Sequence, residues 1–270
     1  MIYLKAPPGW DETQPNPFTP DGSYGPEWSC FRIVDEPGER SCNYRKSGPY
    51  CWLPNRDVPG LETRLADFLR YETSHGRKVI VSCLPGTDED TFVARALQNT
   101  PDESAVRSTD PRWLVHSTPR TSFDQINACG ELRSCARLRK EGINIPWIGL
   151  FEIGEPEDYG EYVMFGDIQR IGSEWVVASQ NKGTMICEED VPYEPGVRLY
   201  FDAHSIIRDG LAVRDGLHLI KVHDHLPLSP YLLAAIGVSD VDPSGKVPVW
   251  TPRTFLDRTN ECFASRFAVE

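Results

Sequence analysis

Two side chains at the end of a short apolar run have the right chemistry for a sugar. In the stretch WLVHSTPRTSFDQINACGEL, His116 and Thr118 stand two positions apart, so on a strand both point to one face. An imidazole beside a hydroxyl can hydrogen-bond a ribose, while the turn that follows exposes backbone N–H groups and Arg120 to a phosphate. A nucleotide held in this way needs no glycine-rich loop. The sequence contains no G-x-G-x-x-G, no G-x-x-x-x-G-K-S/T and no G-x-S-x-G, so a Rossmann site, a P-loop and a serine-hydrolase elbow lack their signatures. The competing reading is structural: a satisfied histidine near the core, with Ser117-Thr118-Pro119 as a turn into a helix.

Other residues with chemical potential lie further along. Asp215-Gly216 has turn chemistry, with His218 close behind it. His223 and His225 share a face if their strand continues, and Asp224 sits between them, but no partner stands at a known metal-site spacing and no metal is expected. Arg133, Arg137, Arg139 and Lys140 form a dense basic patch that could hold a pyrophosphate or an RNA backbone, or could simply be a solvated face. The eight cysteines include no C-x-x-C pair and read mostly as buried thiols. Two alternatives concern them: a disulfide among Cys30, Cys42 and Cys51, and Cys83 as a nucleophile before a helix N-terminus.

The elements that must position these groups follow from pattern and punctuation. Residues 1–60 carry ten of the 23 prolines among scattered aromatics, which predicts an irregular, packed arm. Leu61, Leu65, Phe68 and Leu69 have helical spacing, Val79-Ile80-Val81 reads as a strand, and Pro85-Gly86 as a turn. Asp88-Glu89-Asp90 suits the start of a helix through Phe92, Val93, Ala96 and Leu97. Trp113 to Val115 reads as a strand, followed by a helix capped by Ser122 and Gln125 and stopped at Gly130. Tyr162 to Phe165 is a strand, and Asp167 caps a helix that buries Ile168, Ile171 and Trp175 and ends at Gly183. Val197–Phe201 and Leu217–Val222 are strands, and Ser229-Pro230 opens a last helix through Leu232, Leu233 and Ile236. Residues 238–270 read as an irregular extension that packs through Val249, Trp250 and Phe255.

At 270 residues, with 28 basic against 40 acidic side chains and a net charge of −12, the chain suits a folded protein of one large or two small domains. Such a balance argues against holding nucleic acid by phosphate neutralisation alone. The longest apolar runs, such as Tyr231 to Val238, are too short for a bilayer span and no signal-peptide core precedes them. No membrane association and a cytoplasmic setting are therefore expected.

His116-Ser117-Thr118, Ile126 and Gly130-Glu131-Leu132 together resemble the H-x-T … I … G-x-L opening of the ADP-ribosyltransferase superfamily. Glu161-Tyr162-Val163-Met164-Phe165 is similar to its second NAD-binding strand, and GVRLYFDAHSIIRDGLAVRDGLHLIKVHDHLPLSPYL resembles the closing strands of the tRNA 2′-phosphotransferase branch. The resemblance spans about Trp113 to Ile236. It implies an α+β fold, an ADP-ribosyltransferase-like split β-sheet core with short helices, here preceded by a small α/β N-terminal subdomain. The corresponding boundaries are an arm and small subdomain over 1–110, the transferase-like domain over 111–240 and an extension over 241–270.

The resemblance also implies an activity: NAD as co-substrate, with His116, Ser117, Thr118 and Arg120 binding it, Tyr162 stacking on nicotinamide, and transfer of ADP-ribose to a nucleic-acid, protein or small-molecule acceptor. Breaking the nicotinamide–ribose bond builds positive charge on the sugar, which a nearby carboxylate stabilises. No glutamate lies between Phe201 and Leu226, so Asp215 or His218 would take the catalytic role. Gln180-Asn181-Lys182-Gly183 stands where the phosphotransferase branch has an arginine-histidine pair. Two alternatives accompany this reading: a tRNA 2′-phosphotransferase-like enzyme, and a non-catalytic nucleotide- or RNA-binding module on the same fold.

Overall fold

The structure is a computed structural model that describes residues 3–42, 48–83, 88–98, 102–145, 148 and 154–267. The chain forms two compact units: Met1–Asp102 with Gly149–Tyr159 and Arg214–His218, and Glu103–Ile148 with Gly160–Val213 and Leu219–Glu270. The fold class is α+β, combining a largely parallel sheet with antiparallel ones.

In the first unit the strands are β1 (Leu4–Lys5), β2 (Trp28–Arg32), β3 (Glu39–Cys42), β4 (Tyr50–Pro54) and β5 (Lys78–Ser82), ordered β1-β5-β2-β4-β3. All pairs are parallel except β3 with β4. Strand periodicity puts neighbours on opposite faces. Phe31, Trp52, Val79 and Val81 pack with Leu65 and Phe68 of α1 (Leu61–Ser74) and with Val93 and Ala96 of α2 (Glu89–Gln98). Cys30, Cys51, Leu53 and Ile80 pack on the other side with Trp10 and Trp28. A sheet covered on both faces explains why its strands read as continuous apolar runs.

This arrangement corrects the expectation of an arm over 1–60, since four of the five strands come from that segment. The prolines punctuate the strands without excluding them. Helix α1 and strand β5 form where their spacing predicts, and the Asp88 side chain accepts the N–H of Thr91 at 3.1 Å, opening α2. Cys30 and Cys51 are buried free thiols. The Pro85-Gly86 turn lies outside the described residues.

The second unit holds a four-stranded antiparallel sheet, β14-β10-β6-β9, made from β6 (Trp113–Thr118), β9 (Gly166–Asp167), β10 (Val197–Asp202) and β14 (Leu232–Gly237). A three-stranded sheet, β11-β12-β8, comes from β8 (Tyr162–Met164), β11 (Ala212–Val213) and β12 (Lys221–His223). A two-stranded pair joins β7 (Glu131–Arg133) to β13 (His225–Pro227). Helices α3 (Arg120–Cys129), α4 (Cys135–Lys140), α5 (Gly172–Lys182), α6 (Ala203–Arg208), α7 (Val238–Val241) and α8 (Pro252–Phe267) complete it.

One face of the larger sheet buries Leu114, Val197, Leu199 and Phe201 against Val163, Phe165, Ile220 and Leu226. The other buries Val115, Tyr200 and Ile236 under Phe263 of α8, whose ring stacks on Tyr200 at 4.1 Å between centroids.

Several elements differ from expectation here: the strand expected over Leu217–Val222 begins only at Lys221, and Asp167 pairs in β9 while the helix it is expected to cap starts at Gly172. The segment from Ser229-Pro230 is not a helix, because Leu232–Gly237 pairs antiparallel with β10. Its residues are apolar on both faces of the sheet, with Leu232 and Ala235 on one and Leu233, Ala234 and Ile236 on the other. Such a run carries no period that separates helix from strand. The extension past 241 is a helix, α8, with Phe255, Leu256 and Phe263 buried, whereas Val249 stays 54% exposed. Among the described residues no helix is long and apolar enough to cross a membrane.

Candidate functional site

Strand β6 lies between β10 and β9, and its alternation decides what each side chain can do. His116, opposite Leu199 in register, faces the same side as buried Leu114. Its Nδ1 lies 3.0 Å from the carbonyl oxygen of Met164 on β8, a bond from the four-stranded sheet to the three-stranded one. A carbonyl cannot donate, so Nδ1 carries the proton and Nε2 of the neutral ring presents a lone pair. Burial pushes the His116 imidazole below its ordinary value, outweighing the Met164 carbonyl that favours the charged ring. The ring of Phe165 stands edge-on at 6.2 Å, completing the packing.

Thr118 shares the His116 face and is buried, and the chain at Gly196 presses so close that a Cβ there would lie 1.9 Å from the Thr118 carbonyl oxygen. Ser117 points the other way. Its hydroxyl donates to Glu174 Oε1 at 2.5 Å, and Glu174 is held by Arg198 Nη1 at 2.8 Å and the Tyr193 hydroxyl at 2.9 Å. Both charged partners are completely buried. Strand periodicity sets this placement: at i and i+2 a pair shares a face, and the residue between them lies on the other. Ser117 therefore belongs to a buried ionic cluster and not with His116 and Thr118.

Helix α3 starts at Arg120, three residues earlier than a capping box at Ser122 and Gln125 requires, with Pro119 at φ −55° as its N-cap. Its N-cap, Pro119, makes no side-chain capping hydrogen bond. Arg120 is 61% exposed and makes an i,i+4 ion pair with Asp124 at 3.3 Å. Gly130 ends the helix in the left-handed region at φ 75°, with its N–H on the Ile126 carbonyl at 2.8 Å. On the second sheet Tyr162 is only 8% exposed. The Lys221 ammonium stands 4.3 Å from its ring centre and the His223 ring meets it edge-on at 5.4 Å.

Asp215 and His218 belong to the first unit, whereas His116, Ser117, Thr118, Arg120 and Tyr162 belong to the second. The structure does bring Asp215 and His218 together. Asp215 is fully buried, accepts the backbone N–H of His218 at 2.7 Å and faces His218 Nδ1 at 2.9 Å. Gly216 between them takes φ 75°, and a Cβ there would lie 2.0 Å from the Arg64 carbonyl oxygen. The Asp-Gly turn therefore both forms a turn and aims an imidazole.

The remaining candidates are absorbed by neighbours. Arg133 pairs with Glu141, while Arg137 meets Glu131 at 3.1 Å, Glu141 at 3.2 Å and Asp224 at 3.0 Å, which makes much of the basic patch an ion-pair network. His225 meets Asp224 at 3.0 Å and His223 stands 3.7 Å from Glu161. Among the described residues no cluster of three or more histidine, cysteine or acidic side chains is arranged to hold a metal.

A cavity of about 750 Å³ along α7 and α8 is lined by Asp240, Asp257 and Glu261 with Arg258. Its carboxylates suit a dinucleotide's phosphates poorly. Sequence reasoning did not find Glu174, Arg198 or Tyr193, since a buried ion pair between a helix and a strand leaves no local pattern. No protein-family model, curated protein or solved structure matches the chain.

Proposed function

We propose that the second unit binds NAD and that the protein is an NAD-dependent ADP-ribosyltransferase. The observation that carries the reading is His116. Its Nδ1–H is committed to the Met164 carbonyl, it shares a strand face with Thr118, and its Nε2 lone pair is suited to accept a hydrogen bond from a ribose hydroxyl. The N-terminal amides of α3 and the exposed Arg120 guanidinium follow directly and fit a pyrophosphate.

Bound NAD would supply an ADP-ribosyl group on a bond whose leaving group is neutral nicotinamide. In this reading His116 and Thr118 orient the ribose, and Arg120 neutralises phosphate charge. Tyr162 has the Lys221 ammonium on its ring, so its part is assigned to walling the strand whose Met164 carbonyl fixes His116, and not to stacking. Ser117 has no part in binding.

The buried Asp215–His218 pair favours an enzyme over a non-catalytic module, because an imidazole held by a carboxylate is suited to proton transfer. Gln180 to Gly183 form the end of α5, closed by Gly183 at φ 71°, and offer no arginine for a 2′-phosphate. The acceptor class remains nucleic acid, protein or small molecule.

Calorimetric titration with NAD tests the reading, with His116→Ala expected to weaken binding about tenfold or more through loss of the ribose contact. Binding accompanied by nicotinamide release supports the transferase. Binding without release, across an acceptor panel of RNA, protein and water, supports the module. Absence of NAD binding to the wild-type chain overturns the transferase and any module that holds NAD.

A further inference from the structure

Within the first unit the segment Arg214–His218 is fastened by one residue of α1. Arg64 Nε donates to the Gly216 carbonyl at 2.7 Å and Nη2 to the Leu217 carbonyl at 2.9 Å. The same Nη2 also meets Glu39 Oε2 at 2.7 Å, and the guanidinium lies over the Trp52 ring at 4.9 Å. It is a buried clamp that grips the carbonyls of two successive peptides, Gly216–Leu217 and Leu217–His218. That segment carries the Asp215 carboxylate and the His218 ring, and the ring of Tyr159 meets His218 edge-on at 5.4 Å.

We infer that His218 is a pre-oriented proton acceptor for a hydroxyl-bearing substrate, and that Asp215 and Arg64 are its positioning residues. The carboxylate accepts a hydrogen bond from Nδ1–H, so the lone pair lies on Nε2, and His218 keeps one fifth of its side chain exposed while Asp215 has none. In the step proposed, the substrate O–H bond breaks, its electron pair stays on oxygen and its proton moves to Nε2. Asp215 then faces an imidazolium, whose charge it opposes. The clamp fixes the direction in which Nε2 points, because a turn free to rock would spread that direction over a wide cone.

This inference extends the enzyme reading and stands independently of NAD binding. Its test is made on the whole chain without NAD: nitrogen-15 spectra assign the His218 tautomer, and the rate at which diethyl pyrocarbonate acylates His218 reports its nucleophilicity. The Nε2 lone pair attacks the reagent's carbonyl, ethyl carbonate leaves and the Nδ1 proton passes to solvent, so a ring that carries its proton on Nε2 does not react there.

The wild type should show Nδ1 protonated. Asp215→Asn should switch the proton to Nε2 and slow acylation at least tenfold. Arg64→Met should slow it several-fold, and Arg64→Lys should recover part of the rate, with melting curves establishing that each variant is folded. If His218 in folded Arg64→Met and Asp215→Asn reacts at the wild-type rate, or if the wild-type ring carries its proton on Nε2, the inference is overturned. Loss of NAD binding with these results intact would sink the transferase reading alone.

Discussion

His116 in the second unit and His218 in the first are both held through Nδ1, and the two acceptors differ in kind. His116 faces a backbone carbonyl on a neighbouring strand at 3.0 Å, while His218 faces a buried carboxylate three residues away at 2.9 Å. A neutral acceptor fixes a tautomer and, with burial, keeps the ring neutral; an anionic acceptor also attracts the ring after it has taken up a proton. One environment suits holding a ligand hydroxyl, the other moving a proton. The supports differ as well. Non-local sheet pairing places His116, whereas a five-residue turn under an arginine clamp places His218.

That contrast can be broken one side at a time. The largest effect is expected from Glu174→Ala, which leaves Arg198 charged and completely buried and frees Ser117 beside His116. Losing one partner of such a pair costs about 3–5 kcal/mol, measurable by denaturant titration. The disturbance should appear in the His116 resonances and spare those of His218. Next comes Gly216→Ala on the other side. A left-handed residue whose Cβ meets the Arg64 carbonyl at 2.0 Å should lose about 3 kcal/mol and displace the His218 signal.

Gly130→Ala is the control for that strain. It shares φ 75° but has open space around the added carbon, so about 1 kcal/mol is expected with both histidines undisturbed. Equal costs for Gly216 and Gly130 would mean that the close approach to α1 contributes nothing.

The smallest effect is a pH dependence. Folding lowers the His116 value below the ordinary 6.5, so the unfolded chain binds more protons in the window between the two. Stability from this group is therefore full above pH 6.5 and falls as the pH drops toward the folded value, at no more than about 1.4 kcal/mol per unit. Comparing the stability slope of the wild type with that of His116→Asn between pH 5 and 7 isolates it.

What was legible in the sequence was local. Helix α1, strand β5 and the glycine stops at Gly130 and Gly183 follow from spacing and from a left-handed backbone that glycine tolerates. The i,i+2 relation of His116 and Thr118 was equally plain, and the same alternation puts Ser117 on the opposite face, with Glu174. Less visible was anything decided by long-range pairing. Leu232–Gly237 is a strand because β10 offers it an edge, and Trp28–Arg32 and Tyr50–Pro54 are central strands although prolines crowd the segment. The Glu174–Arg198 pair spans two elements, and nothing in either element's pattern announces the other. The Asp-Gly signal at 215–216 predicted a turn correctly, while its role in aiming His218 depends on Arg64, 152 residues earlier in the chain.

The central claim, that the His116 face of β6 receives a dinucleotide, is tested most directly by calorimetric titration of NAD into the wild-type chain and into His116→Ala. Saturable one-site binding to the wild type is expected, weakened about tenfold or more in the folded variant. Equal affinity for both, or no heat of binding to the wild type, would contradict it.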